Sequence, residues 1–108
     1  MRRSTVESIK ASASDLFAME VDSSLLNDSQ RLAWWLIGEL RLNDGLPERA
    51  GDLGKTILRR YGKEYGVEHI RAILRALIAG GLPIESARSR GYWLRDEPGP
   101  LPTKSPQP

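Results

Sequence analysis

The sequence predicts a mainly α-helical domain that ends in a small antiparallel β-hairpin. Three observations carry this. Apolar residues recur at three- and four-residue intervals over 29–42 and again over 67–79, Gly80-Gly81 punctuates the second run, and two short β-prone segments flank an arginine-bearing tip immediately after it.

The stretch Gly66–Leu94 organises the rest. Ile70, Ile73, Leu74, Leu77 and Ile78 share one helical side, while Glu68, Ala72, Arg75 and Ala79, flanked by His69 and Arg71, occupy the other. Glycine takes the left-handed conformation past a helix end without a Cβ clash, so Gly80-Gly81 stops the helix. Leu82-Pro83-Ile84 is extended, because proline biases its predecessor away from helix. Ile84-Glu85-Ser86 and Tyr92-Trp93-Leu94 then form two strands around the tip Ala87-Arg88-Ser89-Arg90-Gly91. A basic helix followed at once by such a hairpin suits DNA: the helix enters a major groove and the hairpin rides on the adjacent backbone.

These residues resemble a known family. Gly81-Leu82-Pro83-Ile84-Glu85-Ser86, Arg88, Arg90-Gly91-Tyr92 and Leu94 are similar to the end of a winged helix-turn-helix domain of the biotin-operon-repressor type. The resemblance spans roughly Gln30–Arg95, and only its last third is motif-specific. It implies three core helices, a small antiparallel β-wing and double-stranded DNA as partner. Gly66 stands where many helix-turn-helix motifs carry Ser or Thr, and the stretch after Tyr61 is longer than a tight turn, which leaves the register of the second helix against the third open.

Composition narrows the classes. At 108 residues the chain makes one domain, and without cysteine it has no disulfide framework or thiolate metal site, which suits a reducing cytosol. No apolar run reaches the roughly 20 residues that span a bilayer, and polar sequence follows Met1-Arg2-Arg3-Ser4, so a cytoplasmic protein with no membrane association is expected. Net charge is only +2, but it is unevenly placed. Residues 49–95 hold ten Lys/Arg against four acids, whereas residues 1–48 hold five against eight. That asymmetry fits either a one-sided footprint on DNA or ordinary solvated helix faces.

Residues 1–27 form an N-terminal extension, partly helical. Ser4-Thr5-Val6-Glu7 has capping-box form, and Val6, Ile9, Ala13, Leu16 and Phe17 fall on one face of a helix over about 5–20, which Ser8, Ser12 and Ser14 weaken. This helix covers part of the core, supplies a dimer contact, or frays. Residues 28–95 make the winged-helix domain. Asp28 or Asn27 caps a helix over Ser29–Leu42 with Leu32, Ala33, Leu36, Ile37 and Leu40 inward and Trp35 at the border. Asn43-Asp44-Gly45 ends it, and Leu46-Pro47 offers a brief first strand. Another helix lies within Glu48–Tyr61, with Ala50, Leu53, Ile57 and Tyr61 inward and Asp52 as an alternative cap. Residues 96–108, with five prolines, make a disordered tail.

No catalytic, metal or cofactor site is expected. His69 is the only histidine and has no nucleophile paired with it. Gly51-Asp52-Leu53-Gly54-Lys55-Thr56 lacks the spacing of a phosphate loop. For DNA, Arg71 and Arg75 sit four apart; one or both contact guanine O6 and N7, or they touch phosphate only. Ala72 allows close approach, and Glu68 and His69 lie in the first turn. Arg88, Ser89 and Arg90 reach phosphate or a minor groove from the hairpin tip, and Lys55, Arg59, Arg60 and Lys63 hold the flanking backbone. The function expected is that of a small sequence-specific repressor acting by site occupancy, of the kind a phage or mobile element carries. Beside double-stranded DNA, a second copy of the chain or another protein is a possible partner. The alternative function is a winged-helix protein-contact module, an assembly subunit or inhibitor, working through Trp34, Trp93 and the acidic N-terminal half.

Overall fold

A computed structural model of the chain describes residues 3–18, 24 and 26–95. The proline-rich segment 96–108 and most of the loop expected over 21–27 lie outside the described residues. Helices α1 (Arg3–Ala18), α2 (Asp28–Leu42), α3 (Ala50–Tyr61) and α4 (Val67–Ala79) precede strands β1 (Ile84–Ala87) and β2 (Gly91–Leu94), which pair as a two-stranded antiparallel sheet. No described helix is long and apolar enough to cross a membrane.

The apolar stripe of α4 is the centre of the core. Ile70, Ile73, Leu74 and Leu77 are fully buried, and α4 packs against α1, α2 and α3 together. Each such side chain contributes about 1.5–3 kcal/mol on leaving water. Ala76 is buried as well, so the covered stripe is wider than the periodicity implied. Helix α1 packs on α4 as a further layer, with Ala13 and Lys10 against Gly80, one turn beyond Ala76. Past Ala79 the chain closes a Schellman motif: Leu82 N–H donates to Leu77 O at 3.2 Å and Gly81 N–H to Ile78 O at 3.0 Å, with Gly81 at φ 100°. Leu82 and Leu77, both buried, supply the apolar contact of that motif.

The N-terminal helix belongs to the core. Ile9, Ala13 and Leu16 are fully buried. It begins at Arg3, so Ser4 lies inside the first turn and is not its cap. Ser12 Oγ donates to Ser8 O at 2.8 Å, and Gln30 Nε2 of α2 reaches both serine hydroxyls at 3.4 Å. Two of the serines that weaken the helical pattern are thus satisfied within the packed pair. At the other end Arg41 of α2 donates to the Phe17 carbonyl and lies over the Phe17 ring, 4.6 Å from its centroid. That contact satisfies one of the carbonyls a helix C-terminus leaves without a partner.

Asn27, not Asp28, caps α2: its side chain accepts from Gln30 N–H at 2.8 Å while Gln30 Oε1 accepts from Asn27 N–H at 3.1 Å. The five core positions expected in α2 are all fully buried. In α3, Ala50, Leu53 and Ile57 are inward as expected, but Tyr61 is 38% exposed and stacks on Trp35, ring centroids 4.1 Å apart. Asp52 does not cap α3; Arg49 holds the N-cap position without a side-chain hydrogen bond. Gly54-Lys55-Thr56 lies within the helix.

Leu46-Pro47 forms no strand. The pairing falls one residue later, as a single antiparallel bridge in which Glu48 and Tyr92 exchange N–H···O bonds of 2.9 and 2.8 Å. Gly91 makes this possible. Its φ is 108°, and a Cβ there would strike the Glu48 carbonyl and lie 2.7 Å from Arg49 N. The hairpin register pairs Ile84 with Leu94, Glu85 with Trp93, Ser86 with Tyr92 and Ala87 with Gly91. Tyr92 and Leu94 pack against the core on one side of the strand.

Helices α1 and α4 approach closely at Gly80. A Cβ on Gly80 would lie 2.6 Å from Ala13 Cβ and 2.9 Å from Lys10 O, although its φ of −81° suits any residue. Gly80→Ala is expected to destabilise the fold by about 1–3 kcal/mol through overpacking, read as a lower urea midpoint; an unchanged midpoint would separate α1 from α4.

Candidate functional site

The first turn of α3, the outward side of α4 and the hairpin enclose an open groove of about 660 Å³. Its lining brings together Arg49 and Lys55 from α3 and the residue before it, Arg71 and Arg75 from α4, and Arg88 from the hairpin tip, against one carboxylate, Asp52. Five cations converge there from segments nearly forty residues apart in sequence. The fold causes this. Burying the stripe of α4 turns positions 71 and 75 outward, and the Glu48–Tyr92 bridge fastens the base of β2 to the start of α3. Arg49 Nη2 then donates to Ser89 O at 3.0 Å, tying the hairpin tip to the same edge.

The groove cations differ in how they are held. Arg71 Nη1 lies 2.8 Å from Glu68 Oε2, with side chains 45% and 78% exposed respectively. Lys55, Arg75 and Arg88 have no ion-pair or hydrogen-bond partner for their side chains among the described residues. Arg90, also at the tip, places its guanidinium 5.3 Å from the Trp93 ring centroid and does not line the groove. Ala72 and His69, both partly buried on α4, do not line the groove, and His69 stacks instead on Tyr65.

The row of backbone contacts expected from Lys55, Arg59, Arg60 and Lys63 does not form as one surface. Only Lys55 lines the groove. Arg60 lies about 140° around the helix from Lys55, on the side of α2, where its Nε is 2.6 Å from the carboxylate of Glu39. The Glu39 side chain is only 4% exposed, so Arg60 is the counter-charge of a buried carboxylate. Lys63 pairs with Asp28 at 3.4 Å, and Arg59 reaches Thr56 Oγ1 at 3.5 Å. Among the expected interface aromatics, Trp34 is partly buried against the core and Trp93 is partly buried beside Arg90.

Two charged groove residues had no place in the expected DNA surface: Arg49 and Asp52. Neither carries a local signal, since both owe their place to the hairpin folding back over the start of α3.

The start of α4 is steadied from α2. Tyr65 Oη donates to Asp28 Oδ1 at 3.1 Å, and its ring stacks on His69 with centroids 5.7 Å apart. Gly66 caps α4 without a side chain, and this bracing takes over the work of orienting the helix. Burial of the phenol, then its hydrogen bond to Asp28 and the nearby carboxylate charge, push the Tyr65 pKa up from 10.0 to about 12.

Two predictions follow from these contacts. Arg60→Ala leaves the Glu39 carboxylate buried without its partner and is expected to cost about 1–3 kcal/mol of stability, half-exposure of the arginine reducing the effect; chemical denaturation measures it. Because folding raises the Tyr65 pKa, its contribution is fully present below pH 10 and is lost as pH rises from there through about 12. Tyrosinate absorbance should show one late-ionising phenol that disappears in Tyr65→Phe. No protein-family model matches this chain, and neither does any curated protein or solved structure.

Proposed function

We propose that the chain is a winged helix-turn-helix protein that binds double-stranded DNA with sequence preference and regulates transcription by occupying its site. The observation that carries this reading is the convergence of Arg71 and Arg75 on α4 with Arg88 on the hairpin and Arg49 and Lys55 beside α3 along one open groove. In this reading α4 is the recognition helix, β1 and β2 form the wing, and the Glu48–Tyr92 bridge is the remnant of a third strand. The exposed side of α4 is free to enter a major groove, and the basic tip lies where a flanking backbone would run. Phosphate neutralisation supplies affinity at such a surface, and base-edge contacts from α4 supply preference.

The rival, a protein-contact module through Trp34, Trp93 and the acidic N-terminal half, has less to draw on. Trp34 is engaged by the core, and Trp93 by Arg90.

A salt titration of affinity for duplex DNA tests the proposal. Affinity is expected to fall with salt at a slope of about −0.9 per phosphate neutralised. Arg88→Ala should weaken binding to all sequences alike and reduce that slope by about 0.9. Weak binding that ignores salt would overturn the DNA reading in favour of a protein partner.

A further inference from the structure

The cations of the groove are held differently, and the difference divides their labour. We infer that Arg71 reads a guanine in the major groove with Glu68 as its positioning residue, while Arg75, Lys55 and Arg88 hold phosphates. This rests on the DNA-binding reading above and names the base that the same site selects.

A phosphate contact draws on net charge. At Arg71 that charge is offset by Glu68, whose carboxylate lies 2.8 Å from Nη1 and is 78% exposed on the same side of α4. A phosphate approaching Arg71 therefore meets a carboxylate as well. Guanine is neutral and offers two acceptors, O6 and N7, so it gains from oriented donors without incurring that repulsion. The Glu68 contact occupies Nη1 and leaves Nε and Nη2, one edge of the guanidinium fork, as a parallel donor pair. Holding the guanidinium plane in advance also reduces the side-chain freedom lost on binding.

Arg75 contrasts with it. It lies one turn further on, about 6 Å along the helix axis, and lines the same groove with no partner among the described residues. Lys55 and Arg88 are in the same condition across the groove. Full, unoriented positive charge suits a phosphate, which accepts from many directions. Glu68 thereby acts as a filter: it makes the first turn of α4 unattractive to backbone and reserves Arg71 for a base.

The test uses the full chain with two duplexes, one of random sequence and one selected by the wild type from a random pool, across a salt series. Positions 68, 71 and 75 are exposed, so the variants keep the fold. Arg71→Ala should lose preference for guanine at one position, a discrimination of roughly 5- to 150-fold, with little change in slope. Arg71→Lys should lose the same preference although it keeps the charge. Arg75→Ala should weaken both duplexes equally and reduce the slope by about 0.9. Glu68→Gln should tighten binding to random DNA on the order of two- to fivefold, steepen its salt slope and flatten the guanine preference. Where the wild type binds with preference and salt dependence, three results overturn the division of roles alone: preference retained in Arg71→Lys, preference lost in Arg75→Ala in place of Arg71→Ala, or Glu68→Gln matching the wild type. A wild type without salt-dependent affinity overturns the DNA reading and this inference together.

Discussion

The molecule depends on the burial of one helical stripe. Ile70, Ile73, Leu74 and Leu77 of α4 are fully buried where the other three helices pack against it. A helix buried along one side has its rotation about its own axis set by that burial, because turning it would expose several large side chains at about 1.5–3 kcal/mol each. The outward direction of Arg71 and Arg75 is thus a consequence of core packing. The bare backbone of Gly80 against Ala13 and Lys10 sets how closely α1 approaches, and the Schellman closure at Gly81 sends the chain directly into the hairpin.

Electrostatics then sorts the basic residues into two groups. Arg60, Lys63 and Arg95 answer acids of the fold, Glu39, Asp28 and Glu85, and serve the packing of helices or the pairing of strands. Arg49, Lys55, Arg71, Arg75 and Arg88 border one groove, and only Asp52 interrupts their sign. A count of charges along the chain cannot separate these groups. What separates them is which cations the fold sets along the groove and which it sets against an acid of another segment; Glu39 and Arg60, for example, are twenty-one residues apart.

Much of the architecture was legible from spacing. Helix existence, the inward residues of α2 and α4, the glycine stop and the presence of the hairpin follow from period and turn chemistry, which act over three to five neighbouring residues. The strands run one residue further into the tip than expected, pairing Ala87 with Gly91. The errors cluster where a distant segment decides. Tyr61 leaves the core to stack on Trp35, the third pairing segment shrinks to Glu48, whose close approach the lack of a Cβ at Gly91 permits, and the buried stripe of α4 extends to Ala76. The missing side-chain cap at Gly66 is compensated by Tyr65 and Lys63 reaching Asp28 at the far end of α2.

By itself, then, the sequence determined that this chain forms amphipathic helices ahead of a basic-tipped hairpin, because those choices depend on local backbone preference and on which side of a helix is apolar. Only the tertiary structure decided which cations share a surface. Ion pairing and groove lining depend on distances between residues remote in sequence, and those distances exist only once α4 is buried and the hairpin has folded back over the start of α3.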